Sequence, residues 1–288
     1  MLCRIAWSCD HLIDLEVYSR LTTVFSVLTT VRNRIGFVNE IVSWRRGFYT
    51  HTTFFNPQGP VYAFYDMLAA WFELEHVPVA PVHAAFRARV LALPLPKLAL
   101  PPRYVVVSPG CSDFGRERQL RPDEWRNLLA NTGLDGVAVV LLGDASDRPL
   151  CEAIVAELGC GHSLSGQLDI AQSAAVLARA ERFFGIDSLL LHLARALDVS
   201  ANSVWGPTDP ATRLRPRMVE DRVHFARMCC SPCIHVHETP PCDGARPCIP
   251  AALAAPSRLL GAVATGAAVG WATGPRDRTA HPVRVTYD

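Results

Sequence analysis

Phe183-Phe184-Gly185-Ile186-Asp187-Ser188-Leu189-Leu190-Leu191-His192 is the stretch on which the reading of this chain turns. An apolar run ends at Asp187, which places that carboxylate at the carboxyl end of a short buried strand. Open α/β sheets bind their ligands at that edge. Ser188 can cap the helix that follows, whose free amides and positive dipole end attract phosphate. His192 stands one turn further along, so both side chains can face the same mouth. Taken alone, the stretch is equally compatible with a capping Asp-Ser pair and a half-buried histidine.

Its surroundings favour a sheet. Between Arg103 and Gly206, short β-branched runs alternate with helical periods. Strands are expected at 104–108, 137–142, 183–187 and 202–205, and helices at 122–131, 146–158, 169–179 and 188–197. Alternation of this kind implies a parallel sheet with helices on both faces. Pro122 suits a first helical turn, Asp123 and Glu124 suit its dipole, and Gly133 sits where a helix should stop.

Two more strand ends present polar groups. Ser108-Pro109-Gly110 opens a loop that brings Arg116 and Arg118, guanidiniums suited to bidentate phosphate contact. Trp205-Gly206-Pro207-Thr208-Asp209-Pro210 offers a hydroxyl and a carboxylate, although it also reads as a plain tight turn. Gly143-Asp144, after a fourth strand, can complete the mouth. Neither the dinucleotide fingerprint nor the ATP phosphate loop is present.

The chain has 288 residues, room for two domains of about 100–200 residues each. Residues 10–15, 17–31 and 34–37 read as strand, helix and strand, 39–60 as an irregular aromatic and basic loop, and 61–74 as a helix. Two strands are too few for a free-standing α/β domain, so residues 1–76 read as a partial one. Residues 77–102 hold Pro78, Pro81, Pro94, Pro96, Pro101 and Pro102 and read as a linker with one short element inside it. Residues 103–249 form the second domain, and residues 250–288 one helix followed by a disordered tail.

Lys plus Arg is 28 and Asp plus Glu is 27, for a net charge of +1. That balance argues against a bulk nucleic-acid or anionic-membrane binder. Lys97 is the sole lysine, so phosphate recognition falls to arginine, backbone amides and helix ends. The apolar run Leu259–Thr273 is too short to span a bilayer. Trp44-Arg45-Arg46-Gly47-Phe48-Tyr49-Thr50-His51 interleaves rings with guanidiniums. Arg45, Arg46 and His51 are therefore candidate contacts for a phosphorylated saccharide or lipid headgroup, and an ordinary solvated loop is the alternative.

Five of the ten cysteines crowd into residues 229–248. The spacing Cys230-x2-Cys233-x8-Cys242-x5-Cys248, with His235 and His237 between, supplies enough ligands for tetrahedral zinc, although it departs from the standard ribbon. Reduced structural cysteines or an opportunistic disulfide compete with that reading. The isolated spread of the other five cysteines, with no secretory signal, fits a reducing cytoplasmic setting.

Taken in order, Ser108-Pro109-Gly110, Glu117-Arg118 with Trp125, Leu142-Gly143, Ser165-Gly166, Asp187-Ser188 with His192-Leu193-Ala194, and Gly206 to Pro210 resemble glycosyltransferase family 9, the lipopolysaccharide heptosyltransferases. Ile13-Asp14-Leu15 through Phe37, then Thr50-His51 and the helix around Tyr65, look like the later part of that family's N-terminal domain. The resemblance implies a GT-B fold of two Rossmann-like domains and inverting transfer of a heptose-like sugar. The donor would be an ADP-heptose-like nucleotide sugar and the acceptor a glycolipid at the inner membrane surface.

By motif, Ser108, Gly110, Arg118, Gly143, Asp187, Ser188, His192, Thr208 and Asp209 would bind the donor, with no metal required for transfer. Cysteine-rich loops also occur in some relatives. Leu189 stands where many members carry glycine. The family's catalytic aspartate lies in a glycine-rich loop after its first strand, whereas Asp10 and Asp14 match a later strand. An N-terminally truncated chain with no assigned general base is thus expected. An inactive nucleotide-binding remnant and a zinc-stabilised interaction module are the alternatives.

Overall fold

The computed structural model describes residues 8–74, 77–113, 115–134, 136–234 and 240–260. These divide into two compact units, one running to Leu68 and the other from Ala69 onward.

In the first unit, β1 (His11–Asp14), α1 (Arg20–Leu28), β2 (Asn33–Val38) and β3 (His51–Phe54) build a three-stranded sheet in the order β1-β2-β3 with its helix. Both pairings are parallel; Ile35 stands opposite Ile13 on one side and His51 on the other. Ser19 caps α1 by accepting a hydrogen bond from the Thr22 amide at 3.2 Å. The third strand and a 3-10 turn (Ser43–Gly47) lie inside the segment expected to be an irregular loop. A four-residue strand reading His-Thr-Thr-Phe has too little apolar alternation to show in sequence. Helix α2 (Val61–Trp71) leads from the first unit into the second.

The second unit begins with α3 (Val79–Leu91), which falls within the stretch read as a linker. Its Pro81 occupies the first turn, where no helical hydrogen bond is lost. Val90 joins the core, and Arg87 donates to the Leu197 carbonyl at 2.5 Å. Half of residues 77–102 thus forms a helix that belongs to the second unit.

There follow β4 (Tyr104–Ser108), a 3-10 turn (Arg116–Arg118), α4 (Pro122–Ala130), β5 (Ala138–Leu141), α5 (Arg148–Leu158), β6 (His162–Ser163), α6 (Ile170–Leu177), β7 (Phe183–Ile186) and α7 (Leu189–Ala196). The unit closes with β8 (Ala201–Trp205), α8 (Pro210–Arg213), β9 (Asp221–Phe225), α9 (Cys248–Ala254) and β10 (Arg258–Leu260). The strands stand in the order β6-β5-β4-β7-β8-β9-β10, all pairings parallel except that of β10 with β9.

Taken from β4, this is the doubly wound strand order, and its direction reverses between β4 and β7. Strand residues alternate between two cores. Val106, Val140 and Phe183 pack with α6 and α7 on one face. Val105, Val107 and Phe184 pack with Trp125, Ile154 and Ile249 on the other. Among the described residues no helix is long and apolar enough to cross a membrane. His235, His237 and everything after residue 260, including most of the Leu259–Thr273 run and the expected tail, lie outside the described residues.

Candidate functional site

Reversal of strand order leaves a crevice at the carboxyl ends of β4 and β7, because the helices that follow them turn to opposite faces. A hollow of ≈ 500 Å³ opens at this edge. Ser108 and Gly110 line it from the end of β4, Gly143 from the end of β5, and Ser188 from the start of α7; Arg118 enters from the turn after β4. Five of the nine residues expected to bind the donor thus share one cavity.

Asp187 lies just behind that wall, 7% exposed, and joins its parts. The Arg118 guanidinium donates to the Asp187 carbonyl at 2.5 Å and stands 3.7 Å from its carboxylate. His192 Nε2 lies 3.4 Å from Asp187 Oδ1. Burial pushes the Asp187 carboxyl up, but His192, Arg118 and Thr208 outweigh it and hold the group below the ordinary carboxylate range. Asp187 is therefore ionised at neutral pH and keeps Arg118 turned toward the hollow's rim.

Ser188 occupies the capping position of α7 in extended geometry, yet its hydroxyl makes no capping bond. Ser188, Leu189 and Leu190 line the hollow, so the start of α7, where free amides can receive phosphate, stands at its wall. Leu189, 67% exposed, sits on the rim where glycine would allow closer approach.

The remaining expected residues are placed differently. Thr208 is buried beside Asp187 and does not line the hollow. Asp209 caps α8, its carboxylate accepting from the Ala211 amide at 2.9 Å. It does not line the hollow either. His192 contacts Asp187 but lines a neighbouring cavity.

Sequence reasoning missed Asp147, Leu168, Ile170 and Ser173, which complete the wall. Asp147 Oδ2 accepts from the Asp144 amide at 3.0 Å, and burial raises its carboxyl. Its position after the end of β5 was the available signal.

In the first unit Arg45 departs from expectation. Read as an acceptor contact, it is 0% exposed. Its guanidinium pairs with Asp14 at 2.6 Å and donates to the carbonyls of Glu16, Val17 and Phe37, to Thr23 and to Tyr49. Tyr49 completes the cluster by donating to Asp14. With every donor engaged inside the fold, Arg45 has none left for a ligand. Arg46 is exposed, and His51 is half-buried beside Thr50, at 3.0 Å.

All the described cysteines are free thiols. Loop 229–234 is pinned to the turn after β8: Ser231 donates to the Gly206 carbonyl at 2.6 Å and the Cys233 amide to that of Pro207 at 3.0 Å. Burial pushes the Cys248 thiol up to about 11, and Cys233, Cys242 and Cys230 lie near enough to add to the rise. Among the described residues no group of three or more His, Cys, Asp or Glu is drawn together so as to hold a metal ion.

Doubly wound and parallel, with its hollow at the switch point, this is an α/β fold of the GT-B heptosyltransferase kind. The chain belongs to glycosyltransferase family 9 (heptosyltransferase), whose model matches residues 49–242. The expected family, fold class and enzyme class are borne out.

Among solved structures, E. coli ADP-heptose LPS heptosyltransferase II superposes with a TM-score of 0.56 at 16% identity, over 79% of this chain and 72% of that one. A family 9 glycosyltransferase from Veillonella parvula gives 0.53 at 14% identity, over 74% and 65%. E. coli heptosyltransferase WaaC with ADP gives 0.53 at 19% identity, over 71% and 62%. The chain thus spans less than two thirds of the length of the last two. No curated protein matches it.

Proposed function

We propose that this chain transfers a heptose-like sugar from a nucleoside diphosphate donor of the ADP-heptose kind to a lipopolysaccharide or related glycolipid. It would do so from the cytoplasm, at the inner membrane surface. The carrying observation is the convergence of Arg118, Ser188 and the first amides of α7 on one hollow, with Asp187 ionised behind them.

Transfer forms a bond from an acceptor hydroxyl to the anomeric carbon and breaks the bond from that carbon to the diphosphate. Negative charge then grows on the leaving diphosphate. Arg118 and the α7 amides meet it in a partly enclosed site, where fixed donors count for most. Asp187 holds Arg118 in place. Arg46 and His51 are the contacts proposed for the acceptor, and the base that takes its proton is unassigned.

A zinc ion held by Cys230, Cys233, Cys242 and Cys248 belongs to the same reading as a structural element. Its support is the spacing of the four cysteines along residues 230–248. Stoichiometric zinc in the purified protein, with unfolding on chelation, is the test.

For the transfer itself, ADP is expected to raise the melting temperature, and Asp187→Ala to abolish the rise. Labelled sugar should pass from donor to glycolipid. An ADP shift without transfer would instead establish the inactive nucleotide-binding remnant. Absence of both would end the donor reading.

A further inference from the structure

Asn202 stands where the fold calls for an apolar residue. It is the second residue of β8 and shares a face with Val204, which packs in the core of Trp125 and Ile249. Asn202 is 2% exposed, and its Nδ2 finds no hydrogen-bond partner among the described residues. On the adjoining strand β9, Val223 and Phe225 belong to the opposite core, so Arg222 and His224 lie on the side of Asn202. His224 Nδ1 is likewise buried and without a partner among the described residues. Buried polar groups are nearly always paired, so two orphans on neighbouring strands call for an explanation.

Both residues line a cavity of ≈ 270 Å³ framed by α4, β8, β9 and the end of α9. None of its residues lines the donor hollow. Asn127, Asn131 and Ser257 add carboxamides and a hydroxyl to its wall, and Leu128 and Leu253 add apolar surface. The volume is several times the about 30 Å³ that one water occupies, so a single bridging water leaves most of it unfilled. It falls just under the range of common small-molecule sites, about 300–1,000 Å³.

The chemistry of the wall selects the ligand. Burial lowers the His224 pKa and neighbouring Arg222 lowers it further, so the imidazole is neutral at pH 7, one nitrogen donating and the other accepting. Glu124 and Arg222, of opposite sign, are the charged residues of the wall, so an ion of either sign meets a like charge there. The Glu124 carboxylate already accepts from the Arg121 amide at 2.6 Å and lies 3.3 Å from Arg246. What remains are neutral groups that both give and accept hydrogen bonds, as a sugar hydroxyl does.

We infer that this cavity binds a neutral monosaccharide unit, its hydroxyls met by Asn202 and His224 and its carbon face by Leu128 and Leu253. The sugar can be free or the end of a glycan chain. Neither source draws on the transferase reading, and the site stands without it.

Glucose, mannose and galactose, each titrated into the full chain and followed by NMR, test the site. The Asn202 side-chain amide and the His224 ring are expected to shift saturably with at least one of them. Asn202→Leu replaces the orphaned amide by an apolar group of similar size. It should weaken the sugar about tenfold, leave ADP affinity unchanged and melt no lower than the parent. His224→Phe should weaken the sugar to a similar extent, and it serves as the test where the first variant fails to fold.

A methyl glycoside of the sugar that binds forms the second arm. Binding as tight as that of the free sugar upholds the site with a chain end as its source, and weaker binding upholds it with free sugar. If none of these sugars moves Asn202 and His224, ordered water is the sole occupant and the proposal is overturned. Sugar binding that folded Asn202→Leu or His224→Phe leaves intact overturns it as well. If ADP fails to bind while the sugar still responds to Asn202, the donor reading falls and this site survives.

Discussion

Arg45 shows how a residue's surroundings reverse its reading. In sequence it is one guanidinium of a basic aromatic loop; folded, it ties β1, β2 and the turn around residue 45 to Asp14. Removing one partner of a buried pair strands the other, at a cost of about 3–5 kcal/mol. Arg45→Ala should lower stability by that order in urea unfolding, while exposed Arg46→Ala should stay within about 0.5 kcal/mol. Asp187 carries a pH signature. Its folded pKa is depressed, so its stabilising contribution is complete above the unfolded value of about 3.9 and is lost as pH falls through the lower folded value. Stability of the parent should therefore drop as pH falls from about 3.9 through the lower folded value, and Asp187→Asn should flatten this limb in melts between about pH 2 and 6.

Among elements, the ends of β4 and β5 close around one side chain. A Cβ on Gly143 would meet Asp147 Oδ2 at 2.6 Å, and one on Gly110 would meet Asp147 Oδ1 at 2.0 Å. Glycine at both strand ends lets the Asp147 carboxylate lie between them and take the Asp144 amide. Gly143→Ala should force Asp147 out, cost about 1–3 kcal/mol by overpacking, and weaken ADP binding in titration. The two glycines were legible as donor-site positions at strand ends, whereas Asp147 was not, because its partners lie on different strands. Helix α3 was hidden for a related reason. Its prolines read as a linker, and the contacts that hold it come from far along the chain: Val90 in the core, Arg179 on the Leu91 carbonyl and Arg87 on the Leu197 carbonyl, 110 residues away. Strands β4, β7 and β8 were visible almost residue for residue, since central parallel strands must be apolar on both faces.

For the whole molecule, two compact units imply two cooperative transitions on heating. ADP binding in the hollow of the second unit should move the transition of that unit and leave the other in place. At 100 times the dissociation constant the gain is about 2.7 kcal/mol, which calorimetry reads directly. A shift of both transitions, or of the first alone, would place the nucleotide elsewhere. By itself the sequence determined the alternation of strands and helices, the strand ends that carry polar groups and the family that uses them, because these follow from periodicity, caps and short motifs along the chain. Only the tertiary structure decided that Arg45 is buried, that Asp209 caps a helix, and that Asp147 joins the hollow. Burial and net charge at a point in space are sums over residues distant in sequence, and local pattern does not contain them.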